Sequence, residues 1–436
     1  MKLSKFTQLT LTLALSSFAA KAQMVSGNIF LQGNHIEVGI GPRGNYGTDT
    51  SAPAGYHNTM ATYTICGGTP HPLGLVADPA ADGWTTGTPA AFGDYFLPGS
   101  PFEGWAIQSG SLRASLYGTV CTAPTGFTGS NTSYSSSGTS VSGTWDGMFD
   151  SLSIHKVTTL DTGALYFTTR VTITNISSAA KNDIYYLRTL DPDNDQTFSF
   201  NFATRNVIDY QLPNSLNATV VSSKGILYSS AYYAMGTVDT FAKCLIYSAW
   251  PLSAATTLDS VFNNTSTYLG TSYYGALDSM TNDVAIGIMF KIGHLASVDS
   301  AADSVGRTTS HPANSMTFTY FSSFGSAATD TAIVRLTPAV IPVDSSLSVH
   351  SISTVNEADI VIYPNPQANT LNAKGLAIND ELTYYDLTGR QVIPALHAAV
   401  DGLNTFSIAN LATGHYVLIV KDNTGTVKAR IPVQKL

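Results

Sequence analysis

The stretch that decides the fold is Ala164-Leu-Tyr-Phe-Thr-Thr-Arg-Val-Thr-Ile-Thr-Asn175, in which large apolar residues alternate with threonine and arginine. Phe167, Val171 and Ile173 are two or four residues apart, and successive side chains of a strand point to opposite faces. This period of two is typical of a half-buried β-strand. Threonine, valine and aromatic residues, which favour strands, fill most of the other positions. The stretch therefore predicts one long strand with one face on a core.

Segments with a strand-like pattern occur on both sides of this stretch, and turn residues separate nearly all of them. Only four glutamates occur in the whole chain, whereas exposed helix faces usually draw on glutamate, lysine and alanine. Further strands are predicted at Asn28–Gln32, Ile36–Ile40, Thr144–Phe149, Leu152–Val157, Asp183–Leu190, Leu227–Ala234, Lys243–Ala249, Val284–Lys291, Met316–Phe321 and Ala332–Leu336. The sequence therefore predicts an all-β fold whose body is a large antiparallel β-sandwich with long loops.

The region from Gly41 to Ser111 differs in composition, because Gly, Pro, Ala and Asp dominate and aromatic residues occur singly. The region contains too many turn-forming residues for regular secondary structure and too many aromatic residues for disorder. It therefore predicts long packed loops that cap a sheet. Trp84 and Trp105 in these loops are candidates for stacking on a sugar. Alternatively, their rings pin the loops to the core.

The first residues have the pattern of a secretory signal peptide, predicted over residues 1–22. Lys2 and Lys5 precede the apolar run Leu9–Ala20, and Ala20-Lys21-Ala22 supplies a small-residue cleavage site before Gln23. The run is too short and too rich in threonine to span the ~30 Å hydrocarbon core of a bilayer. No later segment is longer and more apolar, so no transmembrane segment is predicted.

Three short motifs follow one another in the last part of the chain: Ile362-Tyr-Pro-Asn-Pro366, Asp386-Leu-Thr-Gly-Arg390 and Leu411-Ala-Thr-Gly-His-Tyr416. The hydrophobic alternation around them predicts strands broken by tight turns. These strands are predicted at Asp359–Tyr363, Glu381–Asp386, Gln391–Ile393, Asn404–Ile408, Tyr416–Lys421 and Val427–Val433. Together they predict a small antiparallel, immunoglobulin-like β-sandwich over residues 356–436.

The order of these motifs resembles the C-terminal sorting domain (type A) of proteins exported by the type IX secretion system of Bacteroidota. The residues that carry the resemblance are Tyr363, Pro364, Asn365, Pro366, Asp386, Thr388, Gly389, Arg390, Gly414 and Tyr416. The resemblance implies an export signal rather than an activity. It also implies that the translocon, its shuttle and a sortase-like peptidase are partners of this domain. It also implies cleavage upstream of the domain, followed by attachment to anionic lipopolysaccharide or by release.

The chain is accordingly predicted to comprise four parts: a signal peptide (1–22), a β-rich body (23–337), a Pro/Ser/Val-rich cleavable linker (338–355) and the sorting domain (356–436). The composition of residues 338–355 is typical of an extended linker, because proline favours extended backbone. Three segments of the body are similar to segments of other exported Bacteroidota surface proteins: Leu31-Gln-Gly-Asn34, Glu37-Val-Gly-Ile-Gly-Pro42 and Gly93-Asp-Tyr-Phe-Leu-Pro-Gly-Ser-Pro101. That similarity implies no activity.

The densest group of oxygen ligands in the body is Asp191-Pro-Asp-Asn-Asp195, directly after the strand that ends at Leu190. Ca²⁺ binds about six to eight oxygens, so Asp191, Asp193 and Asp195 predict a calcium site. The EF-hand pattern is not met, since Gln196 stands where that loop requires glycine. The alternative is that the aspartates form Asx-turns and face solvent.

Glycoside hydrolysis requires two facing carboxyl groups, about 5 Å apart for retention or roughly 6.5–9.5 Å apart for inversion. Glu37 and Glu103 are the only glutamates of the body, and Asp94 lies near Glu103 in the sequence. Apolar surroundings would raise the pKa of Glu103. A carbohydrate-active hydrolase that uses Glu103 with Glu37 or Asp94 is thus one hypothesis, and a polar residue in a packed loop is the other.

Cys66, Cys121 and Cys244 are an odd number of cysteines, without metal-ligand spacing, in a chain predicted to be exported. One disulfide and one buried thiol is the simplest interpretation. Cys66 and Cys121 both lie in the loop-rich part and are the preferred pair, whereas Cys244 lies in an apolar strand.

Several function classes are disfavoured. The formal net charge of −8 argues against nucleic acid, which selects basic surfaces. Gly39-Ile-Gly-Pro-Arg-Gly44 matches a dinucleotide fingerprint, but no helix follows to receive a pyrophosphate. The sequence therefore predicts an exported cell-surface or secreted protein with a non-catalytic adhesion or glycan-binding body. The alternative is the hydrolase, and the one cofactor predicted is Ca²⁺.

Overall fold

A computed structural model describes the fold over most of the chain. The described residues are 21–57, 64–65, 69–70, 72–98, 101–116, 126–248, 252–253, 256–263, 272–298, 314–337, 360–363, 369–386, 390–425 and 427–435. The chain divides into two compact units, Met1–Leu336 and Thr337–Leu436. Residues 1–20 of the predicted signal peptide and the whole predicted linker lie outside the described residues. Lys21 and Ala22 belong to the first strand, so cleavage before Gln23 would shorten that strand.

The elements of the first unit are mostly strands. In chain order they are β1 (Lys21–Val25), β2 (Asn28–Gln32), β3 (Ile36–Ile40), β4 (Thr64–Ile65), β5 (Thr69–Pro70), β6 (Leu75–Ala77), β7 (Glu103–Ser109), β8 (Leu112–Leu116), β9 (Thr128–Ser136), β10 (Ser140–Phe149), β11 (Leu152–Asp161), β12 (Tyr166–Asn175), β13 (Lys181–Leu190), α1 (Gln196–Ser199), β14 (Thr204–Tyr210), β15 (Thr219–Lys224), β16 (Tyr232–Thr237), β17 (Ala242–Tyr247), α2 (Leu258–Asn263), β18 (Ser272–Tyr273), β19 (Ser279–Asn282), β20 (Ala285–Leu295), β21 (Ser315–Ser323) and α3 (Ser326–Leu336). The predicted all-β class is confirmed.

Most of these strands lie in two antiparallel sheets. One has nine strands in the order β19-β14-β15-β16-β21-β12-β11-β10-β9, and the other has six in the order β18-β17-β20-β13-β7-β8. A four-stranded sheet, β1-β2-β3-β6, packs its apolar side chains into the same core. The stacked rings of Phe290 on β20 and Phe318 on β21, with centroids 4.2 Å apart, show that the two large sheets pack face to face.

The alternating stretch quoted first is β12, in the middle of the nine-stranded sheet between β11 and β21. Phe167, Val171 and Ile173 point into the core, and Arg170 is exposed on the opposite face. The period of two therefore predicted both the element and the face that is buried. Burial of three such side chains stabilises the fold by roughly 1.5–3 kcal/mol each.

A helix covers part of the outer face of each large sheet. Val261 and Phe262 of α2 pack with residues of the six-stranded sheet, and Ala332 and Ile333 of α3 pack with residues of the nine-stranded sheet. The strand predicted at Ala332–Leu336 is therefore wrong, because these residues are the last turns of α3. A short apolar run does not by itself distinguish a strand from a buried helix segment.

The region predicted as long loops, Gly41 to Ser111, contains β7, a fully buried strand between β13 and β8. It was missed because it lacks alternation. Trp105 faces the main core, whereas Ala106 belongs to the cluster under α2, so both faces of the strand are covered. A strand that is buried on both faces has no polar side from which a period of two can be recognised.

Glycines make room for Trp145 on β10, whose indole is 2% exposed and donates through Nε1 to the Pro42 carbonyl (3.1 Å). A Cβ atom added to Gly147 would lie 2.1 Å from Cη2 of this indole and 2.5 Å from the Thr128 carbonyl oxygen. The ring and the neighbouring strand therefore require glycine at this position.

Gly147→Ala is expected to destabilise the body by about 1–3 kcal/mol, because the indole and the backbone must move apart in a close-packed core. Urea unfolding followed by tryptophan fluorescence measures the change. Gly138→Ala is the control, since a Cβ there would meet nothing within 4 Å, and its effect should stay within ~0.5 kcal/mol. Equal midpoints for both variants would contradict this packing account.

The second unit contains β22 (Val361–Tyr363), β23 (Thr370–Leu376), β24 (Glu381–Tyr385), β25 (Leu396–His397), β26 (Gly402–Ser407), β27 (Gly414–Lys421) and β28 (Val427–Lys435). They form two antiparallel sheets, β22-β23-β26 and β25-β24-β27-β28, around one core. The strand predicted at Gln391–Ile393 is wrong, since only Gln391 forms an isolated bridge, to Tyr385. β24 pairs with β27 instead.

Candidate functional site

The candidate catalytic residue Glu103 lies in the core at the start of β7 and forms an ion pair with Arg188 on the adjacent β13. Both side chains are 2% exposed. The second carboxylate oxygen of Glu103 accepts the backbone N–H of Tyr46 (2.8 Å), and the Arg188 Cζ lies 3.8 Å from the centre of the Tyr46 ring. Burial raises the pKa of Glu103 to about 7, and the charge of Arg188 opposes the rise.

Lys156 on β11 is a second buried cation in the same part of the core. Its Nζ lies 3.1 Å from the centre of the Trp105 ring and 4.6 Å from that of Trp145. It is 3.5 Å from the Gly44 carbonyl oxygen, which also accepts Arg188 Nη1 at 3.1 Å. Burial lowers the pKa of Lys156 well below its usual value, and the charge of Arg188 adds to this. These contacts hold a polar network between the sheets.

The other two candidate carboxylates are held by different groups. Glu37 is fully buried and accepts Gln32 Nε2 (2.7 Å) and the His57 backbone N–H (2.7 Å). Asp94, 1% exposed, accepts several backbone N–H groups, of which that of Gly74 is nearest (2.7 Å). Burial raises the pKa of Asp94 to about 7 in spite of these bonds. Glu103, Glu37 and Asp94 are thus all buried, and each is held by hydrogen bonds or an ion pair to other protein groups.

The two tryptophans predicted to stack on sugar occupy different positions. Trp105 is fully buried, and this placement argues against a stacking role because a ligand could reach its ring only through the core. Trp84 is partly exposed, but one face of its ring lies parallel to His57 at 4.2 Å. Its Nε1 donates to the Asn34 carbonyl (2.8 Å). Trp84 also packs against the buried cluster of Phe30, Leu73 and Val76, so its partners include this apolar core as well as His57.

The aspartates of the predicted calcium loop are buried, not solvated as the alternative proposed. Asp195 is fully buried, and its Oδ2 accepts the backbone N–H groups of Leu227 (2.7 Å) and Tyr228 (2.8 Å). Asp191 and Asp193 are each 4% exposed. No group of three His, Cys, Asp or Glu side chains within the described ranges is arranged as a metal site as it stands.

Cys244 on β17 is a buried free thiol, as its place in an apolar strand indicated. Burial raises the pKa of this thiol well above its usual value, so it is poorly reactive. Cys66 and Cys121, the preferred disulfide pair, lie outside the described residues.

A surface cleft of about 610 Å³ lies between α3 and the turn that joins β11 to β12. Its polar rim is the ion pair between Arg335 Nη2 and Asp161 Oδ2 (3.0 Å), and its walls include Leu165, Tyr166 and Ala328. The volume is within the range of small-molecule sites, roughly 300–1,000 Å³. No pattern in the sequence indicates this cleft, because the end of α3, Ala332–Leu336, has a strand-like pattern and Arg335 belongs to no recognisable motif.

The described residues of the sorting motifs mostly shape turns. Asp386 Oδ1 accepts the backbone N–H of Arg390 (3.0 Å), so the first and last residues of this motif are hydrogen-bonded to each other. The Tyr416 hydroxyl donates to the Ala412 carbonyl (2.8 Å), and a Cβ on Gly414 would lie 3.3 Å from that hydroxyl oxygen. Tyr363 ends β22 and is 42% exposed. Pro364, Asn365, Pro366, Thr388 and Gly389 lie outside the described residues.

Residues 361–434 match the family model described as the secretion system C-terminal sorting domain. A search of curated proteins finds no match. Similar solved structures include a polysaccharide lyase (9% identity, TM-score 0.24, covering 78% of this chain and 40% of that one). Another is the galactosidase domain of an alpha-galactosidase-sucrose kinase (11% identity, TM-score 0.25, 70% and 41%). The chain spans about two fifths of both, and TM-scores this low assign neither a fold nor an activity.

The match makes the C-terminal unit a sorting domain, as the three motifs predicted. Such a domain directs cargo to the type IX secretion machinery, so the chain is destined for the cell surface or the extracellular space. None of the helices in the described part of the chain has the length and apolar character needed to span a bilayer.

Proposed function

We propose that the first unit is a non-catalytic glycan-binding or adhesion module that the sorting domain delivers to the outside of the cell. The cleft beside α3 carries this proposal. It combines an apolar wall, formed by residues such as Leu165 and Ala328, with the charged rim of Arg335 and Asp161. Carbohydrates have apolar ring faces and many hydroxyl groups, and a carboxylate beside a guanidinium accepts and donates hydrogen bonds at once.

The hydrolase alternative finds no support in the positions of its candidate residues. Glu103, Glu37 and Asp94 each have their own buried partners, and none lines the cleft. A glycosidase needs both carboxyl groups at one substrate site. Binding without bond cleavage is therefore the activity that the open cleft favours.

Export is proposed to follow the route that the sorting domain implies. The signal peptide over residues 1–22 would be removed first, and the type IX translocon and its shuttle would then receive the sorting domain. A sortase-like peptidase would cut in the linker (338–355), and the body would be attached to anionic lipopolysaccharide or released. Intact mass of the exported body would show where the chain is cut.

Arg335→Ala is expected to weaken binding of a glycan identified on an array by roughly tenfold or more, because charge-assisted hydrogen bonds contribute about 1.5–3 kcal/mol. Isothermal titration of the purified chain measures the loss. Arg205→Ala, at an exposed arginine that does not line the cleft, should leave the affinity unchanged. An array without hits, or equal affinities for both variants, would contradict glycan binding in this cleft.

A further inference from the structure

Four exposed apolar side chains lie in two loops at the same end of β14 and β15. Phe198, Phe200 and Phe202 alternate along the segment that precedes β14, and Leu227 lies in the turn that follows β15. Phe200 is 84% exposed and Leu227 is 59% exposed. We call these four residues the apolar tip. Apolar side chains that cluster on a surface, unlike scattered ones, indicate a site of interaction.

The two loops are fixed to each other beneath the tip. The rings of Phe198 and Tyr228 have centroids 6.2 Å apart, and the buried Phe92 lies 6.3 Å from the first and 5.4 Å from the second. Asp195 Oδ2 accepts the N–H groups of Leu227 and Tyr228, and its carbonyl accepts the N–H of Phe198 (2.9 Å). The apolar tip is therefore held in one arrangement before it meets a partner.

Phe200 combines two features that folding alone does not favour. It ends α1 in the left-handed conformation, with φ 53° and ψ 25°, where helices usually place glycine. A bulky side chain rarely adopts this conformation, and such strain occurs preferentially at functional sites. The same conformation directs the ring into solvent, where it gains nothing from packing. The position therefore points to a partner that covers the ring.

The polar groups of the first loop are bonded within the loop itself. The Phe200 N–H donates to the Gln196 carbonyl (2.8 Å), and the Asn201 N–H donates to Ser199 Oγ (3.2 Å). The Ala203 N–H donates to Asn201 Oδ1 (2.9 Å). A backbone amide can enter hydrocarbon only with its hydrogen bond already made. A sugar would instead need polar groups that are still available, so this arrangement favours an apolar partner.

Two cations lie at the base of the apolar tip. Arg205 on β14 and Lys224 on β15 are exposed cross-strand partners. Arg205 Nη2 lies 3.4 Å from the Ile226 carbonyl oxygen in the second loop. The exposed carboxylate of Asp283 follows β19, on the other side of β14. Residues 196–204 and 225–230 contain no charged residue. An uncharged apolar tip above a pair of cations is complementary to a lipid surface with anionic headgroups.

We propose that the apolar tip inserts into the surface of a lipid bilayer that carries anionic headgroups, with Arg205 and Lys224 against the lipid phosphates. Phenylalanine and leucine have no polar edge and enter the acyl region, whereas tyrosine and tryptophan prefer the headgroup level. A second copy of the chain fits less well. Four partly exposed side chains offer roughly half of the ~800 Å² per partner that a stable protein interface buries.

This contact would hold the body on a membrane after export. It does not depend on glycan binding in the cleft beside α3, because none of the four tip residues lines that cleft. Either activity can therefore fail without the other.

The test measures co-sedimentation of the purified chain with vesicles of equimolar phosphatidylcholine and phosphatidylglycerol. Phe200→Asn is expected to lower the partition coefficient by roughly tenfold or more, because one apolar ring no longer enters the acyl region. The variant should fold, since asparagine tolerates the left-handed conformation. Leu277→Asn is the matched control and should bind like the wild type. Leu277 is 78% exposed, has φ 69° and bonds to Ile208, towards the other end of β14.

Vesicles of phosphatidylcholine alone test the role of the cations. Binding to them should be weaker than to the anionic vesicles, and added salt should reduce the difference. Arg205→Ala combined with Lys224→Ala should remove the preference for anionic vesicles. Brominated acyl chains should quench the emission of Phe200→Trp more than that of Leu277→Trp, because only the first indole enters the acyl region.

Three outcomes would overturn the proposal. The first is a chain that sediments with neither kind of vesicle, or that sediments equally in the wild type and in Phe200→Asn. The second is equal binding of the wild type to anionic and to neutral vesicles. The third is a dimer in light scattering that is lost in Phe200→Asn while no vesicle is bound, since a second copy would then cover the apolar tip.

Discussion

Removal of residues 428–436 is expected to abolish export and leave the chain in the periplasm. β28 pairs along its length with β27, and Ala429 and Val433 are buried in the core of the sorting domain. Without the strand, β27 becomes an open edge and the small core loses one wall, which a domain of this size cannot tolerate. Immunoblots of periplasmic and surface fractions, with protease accessibility on intact cells, measure the outcome.

A pair of point variants tests whether export requires a folded sorting domain or only a chain of full length. Val433→Asp places a charge at a position that is 3% exposed, whereas Val400→Asp makes the same change at a position that is 53% exposed. A charge buried without a partner unfolds a marginal domain, so export should fail in the first variant and continue in the second. Normal surface display of the truncated chain would refute the assignment of the sorting domain.

Strands with one solvent-exposed face show the clearest period of two, although β2 and β3, which were predicted with their observed bounds, are fully buried. β11 and β12 alternate because solvent lies on one side of the nine-stranded sheet. β7 has no exposed residue at all, so its sequence carries no period of two and was interpreted as loop. The sorting domain was recognisable for another reason: its turns need particular residues, such as Asp386 for the Arg390 amide.

The candidate sites depended on contacts that no local pattern contains. The aspartates of the predicted calcium loop are adjacent in sequence, but the amides that Asp195 accepts, those of Leu227 and Tyr228, are 32 and 33 residues away and reach it only through the fold. Glu103 looked catalytic because aromatic residues flank it. Its ion-pair partner, Arg188, comes from another strand. A buried charged residue can serve catalysis or a structural ion pair, and only the identity of its partner distinguishes the two.

Arg188→Met is expected to be the most destabilising single substitution in the body, at about 3–5 kcal/mol. The guanidinium is 2% exposed and pairs with Glu103, so its loss leaves that buried carboxylate without its ion-pair partner, and Lys156 is the one cation among the described residues that still acts on it. Methionine keeps much of the side-chain volume, so the loss of charge rather than a cavity dominates. All four tryptophans precede the sorting domain in the sequence, so fluorescence-detected urea unfolding follows the body alone.

Double substitution tests whether the pair acts as a unit. Glu103→Gln together with Arg188→Met removes both charges, and the double variant should be more stable than Arg188→Met alone, because no uncompensated carboxylate remains. Arg170→Met, on the exposed face of β12, is the control and should change stability by no more than ~0.5 kcal/mol. Additive effects of the two core substitutions would mean that the ion pair contributes little. The network around Gly44 would then be held by its hydrogen bonds and by the cation above the Trp105 ring.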